Sequence, residues 1–580
     1  MSGFRPEAER RRRLVTRTLP ISILAAGSFV AGLATGNDDE LKAVTSFAKA
    51  WERSDYEAMG DQLTPEASSE TPAAEFAEAY ESSVATATLD VVDAGEPSIG
   101  RTADGQEAGI LPLRLQTHVF GKISGEVALP LEDGLIAWDS HLVFPGLRQG
   151  ETLNRRTRAP KRAAILAADG TPLAEGPAAA RSSPLGVSAT AIAGEVSTPK
   201  RAQAGLLASE GFPEGSLTGT SGLELAFNDR LDGRAGGQLL AVGGGDGKRV
   251  LADSEPVRGE PVRTTIDPDL QAAAVTALGS LFGGVAVLDA HDGAVKALAG
   301  IAFSAPQPPG STFKLITTTA ALDAGVVKLT DTFPVEQAAV LDGREVANAN
   351  DEFCGGTFVE SFAHSCNSVF APLGVEVGAD RLVAAAEKFG FNSQPALYDA
   401  EATAAVDPPA STIPETIGSD LDLGVSAIGQ GEVLATPLQM ASAAQTIAAG
   451  GMRSATSIVK GPKLGPAAEP VRVTSEETAA QLRQLMIEVV NNGTGLAGAI
   501  PGVQVAGKTG TAELGPAALE PGQELKPGDD PEQDLDAWFT AFAPASAPKL
   551  VAAALVVQAE GDGGEIAAPI VAQVLQAGLE

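Results

Sequence analysis

The chain has 580 residues, which at roughly 100 to 200 residues per domain means about three to five domains rather than one large core. Lys and Arg number 41 against 74 Asp and Glu, a formal charge of -33, the wrong sign for a protein that tracks nucleic-acid phosphates. An apolar share of 44% with 20% charged residues, and no second long apolar run after the first 36 residues, argue against a disordered chain and a polytopic membrane protein. Two cysteines and four scattered histidines leave little for a thiol-zinc site or a disulfide-dense scaffold, and no metal or other cofactor is expected.

Arg5, Arg10, Arg11, Arg12, Arg13 and Arg17 precede an uncharged stretch from Thr18 to Gly36, and Asp38, Asp39 and Glu40 follow it. As a helix this stretch spans about 28 Å, close to the hydrocarbon core of a bilayer. The arginines predict a cytoplasmic N-terminus, a single membrane anchor over residues 1–37 and an exported remainder. A cleaved signal peptide is the competing reading, since Gly32-Leu33-Ala34 offers small residues for processing; the uncleaved anchor is favoured because that pattern is weak.

From Glu40 onward, Leu41, Val44, Phe47, Ala48 and Trp51 recur at helical spacing, and Phe76, Tyr80 and Val84 mark a later helix. Leu111, Leu113 and Leu115 then alternate with other residues, as do Val127, Leu129 and Leu131, and Asp133-Gly134 supplies a turn. Residues 38–147 therefore read as a small α+β domain. The basic run Arg155, Arg156, Arg158, Lys161 and Arg162 reads as a solvated linker, with Asp169-Gly170 beyond it as a hairpin tip. Residues 148–262 form a mostly β middle region rich in Gly, Ala and Pro. From Thr264 the pattern becomes a helix, a buried strand, an Asp292-Gly293 turn and a second strand, and the chain ends on a strand and a helix. Residues 263–580 are assigned to one α/β domain.

Ser311-Thr312-Phe313-Lys314 follows Pro308, Pro309 and Gly310, which break the preceding chain and leave Ser311 near the start of a helix with Lys314 one turn on. Alone the spacing is weak, since Ser46 to Lys49, Ser197 to Lys200, Ser457 to Lys460 and Ser546 to Lys549 repeat it. Company in order raises Ser311 above these: Ser365-Cys366-Asn367 and then Lys508-Thr509-Gly510-Thr511 follow it.

With "PGSTFK", "SCNSVF", "IGQGEVLATPLQMA" and "AGKTGTAE", the C-terminal region resembles the penicillin-binding transpeptidase domain, a serine β-lactamase-like fold. "GLELAFNDRLDGRAGG" resembles the pedestal, or dimerisation domain, of class B members. The segment ending in "WDSHLVFPGL" resembles the cone-like, nuclear-transport-factor-like domain of the methicillin-resistance type. The resemblance implies a monofunctional peptidoglycan D,D-transpeptidase that acts beside a separate glycosyltransferase, binds stem peptides and β-lactams, and has division or elongation proteins as candidate partners. A D,D-carboxypeptidase or β-lactamase-type hydrolase and a weakly catalytic cell-wall scaffold are the alternatives.

A serine hydroxyl needs a base to attack at neutral pH, and no histidine sits in a nucleophile setting, so Lys314 is the expected base for Ser311. Lowering a lysine from near 10.4 to about 7 requires roughly 4 kcal/mol, which burial and the charge of Lys508 would supply. Ser365 is expected to relay a proton toward the leaving amine. Asn367 would hold a substrate peptide bond and Lys508 a terminal carboxylate. The resemblance implies that the Lys508-Thr509-Gly510 strand aligns the substrate, that Gly510 permits its close approach, and that the Thr511 and Ser311 amides bind the oxyanion. Cys354 and Cys366 either form a disulfide that fixes the Ser365 loop or remain two buried thiols. His364 is read as structural.

Overall fold

The computed structural model describes residues 38–580 apart from 246, 400–401, 403–406, 461–468 and 517–532. The expected membrane helix therefore lies outside the described residues, among which no helix is long and apolar enough to cross a membrane. The described residues alternate between two compact units, one made of 38–162 with 198–218 and 232–260, the other drawn from 163–197, 219–231 and 261–580. The middle region, 148–262, is thus divided between them. Besides its strands it carries the short helices Val187–Ala193, Arg201–Ser209, Gly222–Ala226 and Asn228–Asp232.

In the first unit, helices Asp38–Glu52 and Ala73–Ala87 pack with an antiparallel sheet whose longest strands are Glu107–Thr117 and Gly121–Glu132. The helical spacing of Val44, Phe47, Ala48 and Trp51 and the alternation of Leu111, Leu113 and Leu115 with Val127, Leu129 and Leu131 meet in one core. Gly109 makes room for this: a Cβ there would lie 2.3 Å from Val44 Cγ2. Asp133 and Gly134, at φ +51° and +81°, turn the chain into Leu135–Ile136 as a two-residue hairpin requires.

The basic run is not a linker. Glu151–Arg158 is a strand paired along its length with Gly236–Gly243. The Arg155 guanidinium donates to Ala85 O and Ala208 O, both at 2.8 Å, and so satisfies carbonyls in the last turns of two helices. Arg162 is buried against Asp232. Positive side chains bonded to carbonyls and a carboxylate serve a folded strand as well as a solvated one, and composition alone does not separate the two cases.

The second unit is built on a five-stranded sheet, ordered Val295–Gly300, Gly283–Asp289, Leu550–Ala559, Gln533–Ala543 and Ala506–Pro516, antiparallel throughout. Helices Pro268–Leu278 and Ala568–Ala577 cover one face, where Phe539 and Val285 point. The other face meets Pro437–Ala448, in which every residue is buried. Thr436 accepts from the Gln439 amide and Pro437 opens the first turn, so this helix starts at a defined point although it lacks a polar face.

The two edges of this sheet are treated differently. On the Val295–Gly300 edge, the buried Gln271 side chain accepts from Leu298 N at 2.9 Å and donates to Leu298 O at 2.7 Å. Asp267 N donates to Lys296 O and Val295 N to Ser457 O. That edge is closed to further pairing. The Ala506–Pro516 edge, which carries Lys508, pairs only with Gln533–Ala543 among the described residues.

Candidate active site

Ser311 lies in the short 3₁₀ turn Gly310–Phe313, and Lys314 opens the helix Lys314–Asp323 directly after it. Gly310 has φ +52°, and a Cβ there would come within 2.5 Å of Thr511 O; a Cβ on Gly510 would lie 2.6 Å from Pro309 O. Reciprocal glycines thus let the serine turn touch the backbone of the edge strand. The bare Cα of Gly510 faces Pro309 and Thr312 of the serine's own turn.

Ser365 sits between helices Phe358–Ala363 and Asn367–Val377 at φ +60°, a conformation that costs a serine about 1 kcal/mol or more. Cys366 N bonded to Ser361 O at 2.9 Å, and the Cys354–Cys366 disulfide, hold it there. Of the two readings of the cysteines, the structure has the bridge. Closing a loop of 12 residues' separation stabilises by about 3 kcal/mol in the chain-entropy account. The double variant Cys354→Ser/Cys366→Ser is accordingly expected to lose about that much unfolding free energy and to unfold at a lower urea concentration; an unchanged midpoint would refute this. His364 terminates its helix and is exposed.

Lys314 Nζ makes contacts of 2.7 Å to Ser365 O, 2.7 Å to Asn367 Oδ1 and 3.3 Å to Ser365 Oγ. Lys508 Nζ reaches the same Ser365 Oγ at 2.9 Å and Thr509 O at 3.0 Å. Both lysines are fully buried. Beneath them lie Phe370, its centroid 5.1 Å from Lys314 Nζ, and Phe362, 5.7 Å from Lys508 Nζ. Burial pushes Lys508 down to about 7, and burial together with the Lys508 charge pushes Lys314 well below the usual lysine range.

These contacts have one consistent proton assignment when Lys314 is neutral and Lys508 charged. Lys314 then donates to Ser365 O and Asn367 Oδ1, while its lone pair accepts the Ser365 hydroxyl, whose oxygen in turn accepts from Lys508. Ser365 therefore bridges the two amines. Ser311, one turn from Lys314, makes no side-chain hydrogen bond among the described residues, so its hydroxyl is uncommitted.

Asn367 spends its amide on Lys314 and, through Nδ2, on Ala347 O at 2.8 Å, leaving one N–H for a ligand. The side chains of Thr509 and Thr511 lie on the opposite side of the strand from Lys508. Thr509 Oγ1 meets Thr494 Oγ1, and Thr511 Oγ1 accepts from Gly563 N at 3.3 Å. Sequence reading missed Phe362, Phe370 and Thr494. The two phenylalanines lie three residues to either side of Ser365 and Asn367, a helical spacing that reads as core. Among the described residues no cluster could hold a metal ion.

The model of the penicillin binding protein transpeptidase domain matches residues 283–576, and that of the penicillin-binding protein dimerisation domain matches 176–264. The peptidoglycan D,D-transpeptidase PbpA of Mycobacterium tuberculosis is 36% identical over 365 residues, covering 59% of this chain and 67% of that protein. Stage V sporulation protein D of Bacillus subtilis is 33% identical over 47% of this chain and 42% of its own. Among solved structures, the penicillin G acyl-enzyme complex of penicillin-binding protein A from M. tuberculosis superposes with a TM-score of 0.56 at 28% identity, over 73% of this chain and 100% of that one. The D,D-transpeptidase domain of a peptidoglycan glycosyltransferase from Eggerthella lenta gives 0.55 at 26% identity, over 72% and 98%. With a buried two-lysine centre beside an uncommitted serine and both matched domains in one chain, this protein belongs to the penicillin-binding protein transpeptidase family, as a class B member that carries the dimerisation domain.

Proposed function

We propose that this protein is a peptidoglycan D,D-transpeptidase whose nucleophile is Ser311. The observation that carries the proposal is the single network in which Lys314, Ser365, Asn367 and Lys508 converge one turn from the serine hydroxyl. The Ser365 hydroxyl releases the Lys314 lone pair, which takes the Ser311 proton as Ser311 Oγ attacks the carbonyl of the penultimate D-Ala in a stem peptide. The backbone amides of Ser311 and Thr511 receive the oxyanion. Ser365 passes a proton to the departing D-Ala amine, and the amine of a second stem peptide then attacks the acyl-enzyme. The open Ala506–Pro516 edge offers main-chain pairing to an extended stem peptide, with Lys508 set for its terminal carboxylate. β-Lactams place a strained amide at the same carbonyl position and acylate Ser311.

The sequence pattern further supports an anchor in residues 1–37, a nuclear-transport-factor-like domain over 38–147, a dimerisation region over 148–262 and the transpeptidase domain over 263–580, the exported domains lying at the outer face of the cell membrane. Stem peptides would come from glycan strands made by a separate glycosyltransferase.

Incubation of the purified protein with benzylpenicillin is expected to add one penicilloyl mass per chain, on the peptide that contains Ser311. An unmodified mass at saturating reagent, or an adduct on another peptide, would sink the assignment. Rapid turnover to free penicilloic acid would favour the hydrolase instead.

A further inference from the structure

Thr494 belongs to none of the three motifs, yet its place in the fold is held by several bonds. Its backbone N–H donates to Ala363 O at 3.1 Å, and its hydroxyl lies 3.4 Å from the same oxygen and 2.5 Å from Thr509 Oγ1. Ala363 is the last residue of the helix that precedes Ser365, and Thr509 is the neighbour of Lys508. Since Ala363 O can only accept, Thr494 donates to it and Thr509 donates to Thr494, a chain that uses both hydroxyl protons.

Glycines on both sides bring this about. A Cβ on Gly493 would lie 2.2 Å from Ala363 O, and one on Gly564 would lie 2.2 Å from Thr494 O. Behind the strand, Phe539 fills the space left by Gly495, Gly498 and Gly507, with ring atoms 3.1, 2.6 and 2.5 Å from where their Cβ atoms would be. The turn at 493–495 therefore lies close against the helix end, and the Thr494 hydroxyl spans from there to the edge strand.

From this geometry we infer that Thr494 is a positioning residue: it ties the Ser365 loop to the Lys508 strand and thereby sets the contact between Ser365 Oγ and Lys508 Nζ. The two sides of that contact come from segments far apart in the chain, and among the described residues no other side chain from outside these two segments bonds to both of them. With the tie cut, Lys508 and Ser365 separate, the charge that helps keep Lys314 neutral recedes, and the base binds its proton more tightly. Substrate still docks, but acylation slows and its rising pH limb moves upward.

The inference rests on the transpeptidase reading, and the experiment separates the two. Benzylpenicillin acylation of the purified protein is followed from pH 5 to 9 for wild type, Thr494→Val and Thr494→Ser, with the non-covalent binding constant and the acylation rate constant resolved by stopped-flow. In Thr494→Val the acylation rate constant is expected to fall about tenfold at neutral pH, with the binding constant within about twofold of wild type and the rising limb displaced upward. Thr494→Ser, which keeps the hydroxyl, restores both. If Thr494→Val does not fold, the smaller Thr494→Ala is held to the same expectations. A wild-type rate constant and pH profile in a folded variant lacking the hydroxyl would overturn the inference, as would a loss that Thr494→Ser fails to restore. Absence of acylation in wild type would instead overturn the transpeptidase reading.

Discussion

Replacing Lys314 with methionine is expected to lower the rate constant for acylation of Ser311 by about a thousandfold, within the range by which a positioned base accelerates such a step. Methionine approximates the length of the side chain and remains compatible with the buried site next to Phe370, but it offers no lone pair of comparable basicity. Non-covalent binding should survive, because the groups assigned to the substrate are Lys508, the remaining Asn367 N–H and the open strand edge. Stopped-flow acylation with benzylpenicillin separates the two constants. A variant that acylates within about threefold of wild type would show that Lys314 is not the base.

The second expectation concerns pH. For reaction of the free enzyme, kcat/KM should rise as Lys314 loses its proton and fall as Lys508 loses its own near 7. Once a substrate carboxylate faces Lys508, the opposite charge favours the ammonium, so the falling limb in kcat should lie at higher pH than the one in kcat/KM. Lys508→Met should lose this falling limb and bind carboxylated substrates more weakly. Coincident falling limbs in the two constants would contradict the pairing of Lys508 with the carboxylate.

The same shift has a signature in stability. Below about pH 7 Lys508 is charged in the folded and unfolded chains alike, and the full cost of its burial is present. Between about 7 and 10.5 the unfolded chain binds more protons, so stability relative to Lys508→Met should rise with pH across that window. The ceiling on this rise is about 5 kcal/mol, the equivalent of the displacement from 10.5 to about 7. Urea unfolding of both proteins at pH 6 and pH 9 tests the sign.

Local signals were legible wherever the structure is local. The Ser311 to Lys314 spacing became one turn because helix geometry depends on near neighbours, and Asp133-Gly134 became a hairpin turn because both residues tolerate positive φ. Residues of the three motifs also meet in space: Lys314, Ser365, Asn367 and Lys508 form one network. Residue type, by contrast, does not fix environment. The composition of the basic run suggests a linker, yet Arg155 is bonded to two helix carbonyls and Arg162 to a buried carboxylate. Nor does residue type reveal that the missing Cβ of Gly510 accommodates the serine turn.

By itself, then, the sequence determined which residues could perform acyl transfer and in what order they occur along the chain, since chemistry resides in side chains and helical spacing in neighbours. Tertiary structure alone decided that two lysines are buried over phenylalanines, that Ser365 bridges them at a positive φ, and that Gln271 closes one sheet edge while the edge bearing Lys508 stays open. The reason is that desolvation and strand pairing depend on groups brought together from distant parts of the chain, and those distances exist only once the chain has closed.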